Sequence, residues 1–350
     1  MAERQNRVRI AILGASGYTG GELIRILSRH PAADLRALTA DRQAGKSIAE
    51  VFPHLAQLNL PTLVKIDDVK LDEIDFVFCA LPHGTTQEVI AALPPTVKIV
   101  DLSADFRLTD LESYATWYGH AHRAPELQKE AVYGLTELNR EEVRSARLVA
   151  NPGCYPTSAQ LPLAPLLSSQ LIEAEDIIID AKSGVSGAGR EAKQANLFGE
   201  VSEGIHAYGI ASHRHAPEIE QELSAAAGRP ITVNFTPHLM PMSRGILASS
   251  YVRLANGYTA EDVRAALDDR YADEPFVHVL SAGVSPATRH VRGSNNCLIG
   301  VFKDRLPGRA IIVSVIDNLV KGASGQVVQN MNAMLAIEET TGLEQAPLFP

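Results

Sequence analysis

A short β-branched run, Val8–Leu13, feeds straight into Gly14-Ala15-Ser16-Gly17-Tyr18-Thr19-Gly20, and the helical stretch Glu22–Leu27 follows, ending near His30-Pro31. A glycine loop between an N-terminal strand and a helix constrains a chain strongly. It lets the backbone turn tightly and approach a pyrophosphate, which then rests on the helix N-terminus. The first spacing departs from GxGxxG, but the strand-loop-helix context supports dinucleotide binding, with Gly14, Ser16, Gly17, Tyr18 and Thr19 as the contact residues. Leu35–Leu38, Asp75–Leu81 and Lys98–Leu102 read as further strands separated by helical segments, which predicts a parallel sheet with right-handed crossovers. Residues 1–150 are therefore expected to form one doubly wound domain.

Beyond residue 150 the pattern changes. Strands are expected at 177–182, 231–235, 246–252, 296–301 and 310–315, and they outnumber helices, so residues 151–316 read as an α+β domain with a mixed or mainly antiparallel sheet. Helical spacing from Gly325 to about Glu338 suggests that the C-terminal segment, 317–350, returns to the first domain. The whole is an α/β chain.

The chain's 350 residues carry a net charge of −9 with no Lys/Arg cluster, which argues against a nucleic-acid surface. Three irregularly spaced cysteines form neither a disulfide framework nor a zinc motif, and they suit a reducing, cytoplasmic setting. Met1–Arg7 lacks the apolar core of a signal peptide, and no stretch has the length of a membrane helix.

Cys154 lies in Asn151-Pro152-Gly153-Cys154-Tyr155-Pro156-Thr157, between the strand-like Leu148–Ala150 and a helix start. A thiol there feels the positive end of the helix dipole, which favours the nucleophilic thiolate; the other reading is a packing thiol. Pro162 and Pro165 fall inside this helix and predict a kink or a single short turn. His213-Arg214-His215-Ala216-Pro217-Glu218 reads as another helix start. The dipole disfavours an imidazolium there, so either histidine is a candidate general base or simply polar filling. No third ligand stands at a recognisable spacing, so no metal is expected. Arg107, after Asp101–Phe106, can clamp a phosphate or carboxylate, or pair with Asp105 or Asp110. After the second strand, Thr39, Arg42 and Lys46 favour the extra phosphate of NADP, whereas Asp41 favours NAD. Cys79 and Cys297 sit in apolar strands and read as packing residues.

Taken in order, these motifs resemble the N-acetyl-γ-glutamyl-phosphate reductases, arginine-biosynthetic relatives of aspartate-semialdehyde and glyceraldehyde-3-phosphate dehydrogenases. The resemblance spans essentially the whole chain. It includes Gly14–Gly20, Ala80-Leu81-Pro82-His83-Gly84, Asp101–Arg107, Tyr133–Glu137, Asn151–Thr157, Lys182–Gly189, His213–Glu218 and Asp317–Gln326. It implies a Rossmann domain, NADP(H) as cofactor and a homodimer or homotetramer. It also implies a thioester on Cys154 formed from a small-molecule acyl phosphate with release of phosphate, and proton transfer by His215 or His213. His215 is preferred because it lies nearer the helix start. By the same resemblance Leu81, Pro82, Ser186, Gly187 and Asn318 complete the cofactor set. Ser103, Arg107, Asn151, Lys182, Ser183 and Gly184 form the substrate set, and N–H groups near Cys154 and Gly187 hold the oxyanion. The aspartate-semialdehyde relatives draw a base histidine from a later segment. Here that segment reads Met240-Pro241-Met242-Ser243-Arg244-Gly245-Ile246, with isoleucine in the histidine's place, which disfavours that activity. A lysine-pathway relative acting on a carrier protein and a non-enzymatic NADP-binding redox sensor are the other readings.

Overall fold

The computed structural model describes residues 7–350; Met1–Asn6, part of the segment read above as lacking the apolar core of a signal peptide, lie outside the described residues. The chain divides into two compact units, one comprising Met1–Pro152 with Ala323–Glu344, the other Gly153–Gly322 with Gln345–Pro350. Of the C-terminal segment 317–350, then, Ala323–Glu344 groups with the first unit and the flanking residues with the second.

The first unit holds β1 (Val8–Leu13), α1 (Tyr18–Leu27), β2 (Ala33–Leu38), β3 (Phe76–Cys79), β4 (Lys98–Asp101), β5 (Ala131–Tyr133) and β6 (Leu148–Ala150). They form a six-stranded sheet in the order β2-β1-β3-β4-β6-β5, every pairing parallel. The central strand β3 (Phe76-Val77-Phe78-Cys79) is apolar and buried throughout because both its faces are covered, whereas the edge strand β2 carries the partly exposed Asp34 and Arg36. Leu13, Val77, Cys79, Ile99 and Leu148 share one buried cluster, and Cys79 packs as its position suggested. Chain direction across the sheet reverses between β1 and β3, and ligands of doubly wound folds bind at the carboxyl ends of strands at such a switch point. A closing helix, Gly325–Met334, is buried along its whole length. Its polar residues are satisfied internally: Asn330 accepts from Thr136 Oγ1 at 2.8 Å and donates to Gly134 O at 2.9 Å. The helix stops at Met334, before the expected Glu338, and Ala336 follows in a left-handed conformation.

The second unit runs α2 (Cys154–Ser168), β7 (Ile178–Gly184), β8 (His206–Ala207), α3 (Ala216–Ala227), β9 (Asn234–Met240), β10 (Ile246–Arg253), α4 (Ala260–Arg270), β11 (Val277–Val279), β12 (Cys297–Lys303) and β13 (Arg309–Ile316). Its seven-stranded mixed sheet has the order β11-β12-β13-β10-β7-β9-β8. Burial alternates along β7, β9 and β10, so one face packs on the helices and the other is half-exposed. The strand expected at 231–235 instead occupies Asn234–Met240. Pro237 donates no ladder hydrogen bond and so hides the strand in the sequence; its carbonyl nevertheless accepts from Tyr208 N at 3.1 Å.

α2 is an unbroken helix of 15 residues, neither kinked away nor cut to one turn by its prolines. Each proline removes one N–H and leaves the carbonyl four residues earlier without its helical donor. The structure supplies replacements from outside the helix. Ser314 Oγ donates to Ser158 O at 2.6 Å in place of Pro162, and Tyr271 OH donates to Leu161 O in place of Pro165. Buried carbonyls that would cost stability are thereby satisfied, and Cys154 heads a full helix.

Candidate active site

In the first unit, Gly14 has φ +90°, and a Cβ there would meet Ala80 O at 2.4 Å, so only glycine lets the β1 and β3 loops approach this closely. A Cβ on Gly20 would lie 2.6 Å from Ala15 Cα, which fixes the packing of α1 on the loop. Gly17 would meet only Gly14 O at 3.7 Å; it is open and is the N-cap of α1, which has no side-chain cap. An uncapped helix start beside an open glycine fits a dinucleotide pyrophosphate. Tyr18 is exposed and Ser16 and Thr19 half-buried along this rim, and Leu81 and Pro82 follow β3.

Thr39 is buried and its Oγ1 accepts from Gly14 N at 3.1 Å, so the hydroxyl braces the glycine loop. Arg42, Lys46 and Asp41 are all exposed past the end of β2.

Ser103 is likewise turned inward. Its hydroxyl donates to Asp101 Oδ2 at 2.6 Å, accepts from Asp105 N at 3.0 Å and lies 2.8 Å from Thr86 Oγ1. Asp105 accepts from Gly84 N at 2.7 Å and Thr86 N at 3.1 Å, tying the Leu81–Gly84 loop to this network. Burial pushes the Asp101 carboxyl up to about 7. Arg107, only 5% exposed, donates through Nε to Asn151 O at 2.8 Å and through Nη2 to Leu102 O at 2.9 Å. Two of its donors thus engage backbone carbonyls. Asn151 is also buried, and its Oδ1 accepts from Asn330 at 3.2 Å.

In the second unit, Cys154 is the first residue of α2 and half-buried. Gly322, in a π-helical turn at Val320–Ser324, lies against it: a Cβ on Gly322 would come 2.7 Å from Cys154 Cβ. The N-cap, Gly153, meets two side chains from the start of α3. The His215 ring covers its Cα so closely that a Cβ would fall 2.5 Å from Nε2. Glu218, 1% exposed, accepts from Gly153 N at 2.7 Å through Oε1. The sequence marks Glu218 only as a helix-start signal; no local pattern shows that its side chain reaches another helix.

The two histidines differ. His213 sits among the rings of Tyr155, Tyr208, Phe235 and His215 at centroid distances of 5.7, 5.4, 5.5 and 4.8 Å. Burial, helped by Arg214, pushes its pKa down to about 4. Its Nδ1 accepts from His215 N at 3.1 Å, which places the proton of the neutral ring on Nε2. His213 therefore shapes the turn, and His215 presents its ring beside the Gly153–Cys154 turn. Tyr208 OH donates to Tyr155 OH at 3.0 Å, and Tyr155 OH donates to His238 O at 3.2 Å. Burial raises both phenols, that of Tyr208 to about 12, so both stay protonated.

Of the remaining expected residues, Asn318 accepts from Gly245 N at 2.7 Å and donates to Ser186 Oγ at 3.0 Å, bracing the Val185–Ala188 turn. Gly187 lies in that turn, and a Cβ on it would lie 3.0 Å from Ser183 Oγ. Gly184 packs against Arg244 N, which a Cβ would meet at 2.8 Å. Lys182 pairs with Asp180 at 2.7 Å, and His238 stands 3.1 Å from the same carboxylate. Among the described residues no cluster of His, Cys, Asp and Glu could hold a metal ion.

Residues 9–146 match the family model for the semialdehyde dehydrogenase NAD binding domain and residues 154–318 that for the semialdehyde dehydrogenase dimerisation domain. N-acetyl-gamma-glutamyl-phosphate reductase of Rhodospirillum rubrum is 64% identical over 349 residues, covering 98% of this chain and 99% of that one. The chain belongs to the N-acetyl-gamma-glutamyl-phosphate reductase family. A probable chloroplastic N-acetyl-gamma-glutamyl-phosphate reductase of Oryza sativa subsp. japonica is 61% identical over 343 residues, covering 98% of this chain and 83% of that one. Among solved structures, aspartate semialdehyde dehydrogenase II from Vibrio cholerae has a TM-score of 0.71 at 18% identity, covering 94% of this chain and 99% of its own. The enzyme from Candida albicans described with NADP has a TM-score of 0.67 at 17% identity, covering 94% of this chain and 98% of its own. At such identities the likeness is one of fold. Family membership makes the chain an oxidoreductase with a nicotinamide-dinucleotide domain. Among the described residues no helix is long and apolar enough to cross a membrane.

Proposed function

We propose that this enzyme reduces N-acetyl-γ-glutamyl phosphate to N-acetylglutamate 5-semialdehyde in arginine biosynthesis, through a thioester on Cys154. The observation that carries the reading is the junction at Gly153, where a thiol at a helix N-terminus follows a glycine covered by the His215 ring. His215 takes the Cys154 proton, and the thiolate sulfur attacks the acyl carbon. The bond from that carbon to the phosphate oxygen breaks, and inorganic phosphate leaves. When bound, NADPH would supply the hydride that reduces the thioester carbonyl. His215 protonates the resulting oxyanion, then takes the hydroxyl proton back as the carbon–sulfur bond breaks, which releases aldehyde and thiolate. Backbone N–H groups at the start of α2 and around Gly187 steady the oxyanion.

Gly14, Ser16, Gly17, Tyr18 and Thr19 would hold the pyrophosphate, with Leu81 and Pro82 beside them. Arg42 and Lys46 are the exposed cations suited to the additional phosphate of NADP. Assembly as a homodimer or homotetramer is proposed through the span that matches the dimerisation-domain model. A cytoplasmic setting suits a mechanism that needs a reduced thiol.

The reverse reaction tests the proposal. N-acetylglutamate semialdehyde and NADP, with and without inorganic phosphate, are followed by absorbance of reduced nicotinamide. Phosphate-dependent NADPH formation is expected. Activity only with carrier-bound substrates would transfer the enzyme to the lysine-pathway reaction, and silence with every acyl substrate would leave a nucleotide-binding protein with another use for its cysteine.

A further inference from the structure

Two helix starts converge on one backbone amide. Gly153 N, the N-cap amide of the helix that Cys154 begins, donates to Glu218 Oε1 at 2.7 Å. Glu218 is the third residue of α3, three positions beyond His215, whose ring lies over the Cα of the same Gly153. The link is doubled in the backbone: Gln160 Nε2, in the second turn of α2, donates to Glu218 O at 2.9 Å. The carboxylate is 1% exposed, so nothing outside the protein uses it, and both helix dipoles favour a negative group at this point. A buried carboxylate at the N-cap of a nucleophile's helix does not itself promote the thiolate, since like charges repel. Its geometry accounts for it better than its charge does.

We propose that Glu218 is a positioning residue that clamps the His215 turn to the Cys154 turn through the Gly153 amide, fixing the sulfur-to-imidazole geometry. The inference rests on the assignment of Cys154 as nucleophile and His215 as proton carrier. Glu218 acts through these residues and touches no reacting atom.

Length and charge separate the possibilities. Glu218→Gln keeps an oxygen at the same reach without the charge, whereas Glu218→Asp keeps the charge and withdraws the oxygen by one carbon–carbon bond, about 1.5 Å. Turnover of the Gln variant is expected within about threefold of the parent, and that of the Asp variant about 100-fold lower, with KM little changed, because a misplacement near 1 Å has that effect on rate. Alkylation of Cys154 by iodoacetamide, followed by peptide mass, gives a second readout independent of reduction. The Gln variant should react within about threefold of the parent rate. A Gln variant as slow as Asp, an Asp variant faster than Gln, or two variants indistinguishable from the parent would each overturn the clamp. If the Asp variant does not fold, alkylation of the Gln variant decides: a tenfold loss of rate would overturn the inference, as would a Gln variant that fails to fold. Cys154→Ser, assayed alongside, tests the underlying assignment alone. Turnover surviving there would remove the nucleophile, whereas an inactive Ser variant with equal Gln and Asp rates would remove only the clamp.

Discussion

Gly153→Ala is a sharp probe of the turn that carries the proposed nucleophile because the backbone there does not need glycine. Gly153 has φ −67° and ψ 157°, an extended conformation open to alanine. What alanine lacks is space: its Cβ would lie 2.5, 2.7 and 2.9 Å from His215 Nε2, Cε1 and Cδ2. Ordinary carbon contacts begin near 3.5 Å, so the imidazole must retreat by about 1 Å. The folding cost is small, up to about 1 kcal/mol for alanine at an N-cap in place of a residue that caps better. The kinetic cost is larger, because a 1 Å displacement of a proton-transferring ring lowers turnover about 100-fold. The assay is steady-state reduction across pH, with the melting temperature measured in parallel. A variant that melts within a few degrees of the parent and loses about two orders of magnitude in kcat bears the argument out. Parental kcat in a folded Gly153→Ala variant would show that the His215 ring takes no part in proton transfer.

Other expectations follow from the same structure. Ser314→Ala and Tyr271→Phe should each destabilise the protein by about 1–2 kcal/mol by orphaning a buried carbonyl. Pro162→Ala, by restoring the N–H to Ser158 O, should shrink the cost of Ser314→Ala but not that of Tyr271→Phe in a denaturant-melt cycle. Arg42→Ala should lower the kcat/KM preference for NADPH over NADH about tenfold with NADH kinetics unchanged; an unaltered ratio would exclude Arg42 from phosphate recognition. His213, neutral in the fold down to about pH 4 but protonating near 6.5 when unfolded, adds stability that is present above pH 6.5 and lost as pH falls towards 4. Its size is of the order of 1–3 kcal/mol. Denaturant melts across that window should show a loss that His213→Asn abolishes.

Local geometry made the nicotinamide half legible. Gly14 and Gly20 are required by close backbone approaches within a few residues of one another or across adjacent parallel strands, and such requirements leave glycines in the sequence. Cys154 at a helix start was legible for the same reason. Features that depend on partners distant in the chain were hidden. The prolines of α2 read as a break because Ser314 and Tyr271, which replace the missing donors, lie more than 100 residues away. The inward hydrogen bonds of Ser103 to Asp101 and of Thr39 to Gly14 N were hidden likewise, because a hydroxyl carries no mark in the sequence of the partner it meets. Glu218 conformed to the expected acidic first turn of α3, and that local explanation masked its reach to Gly153. The pairing of Asn318 with Gly245 and Ser186 is likewise a product of three loops meeting.

The central claim is the covalent thioester, and peptide mass spectrometry of the acid-quenched protein tests it most directly. The protein is mixed with N-acetyl-γ-glutamyl phosphate without reduced nicotinamide, quenched in acid and digested. The account predicts one N-acetylglutamyl group on the Cys154 peptide, stoichiometric phosphate release, and loss of the adduct on adding NADPH. Full turnover with no adduct on Cys154, or an adduct on another residue that NADPH discharges, would contradict it.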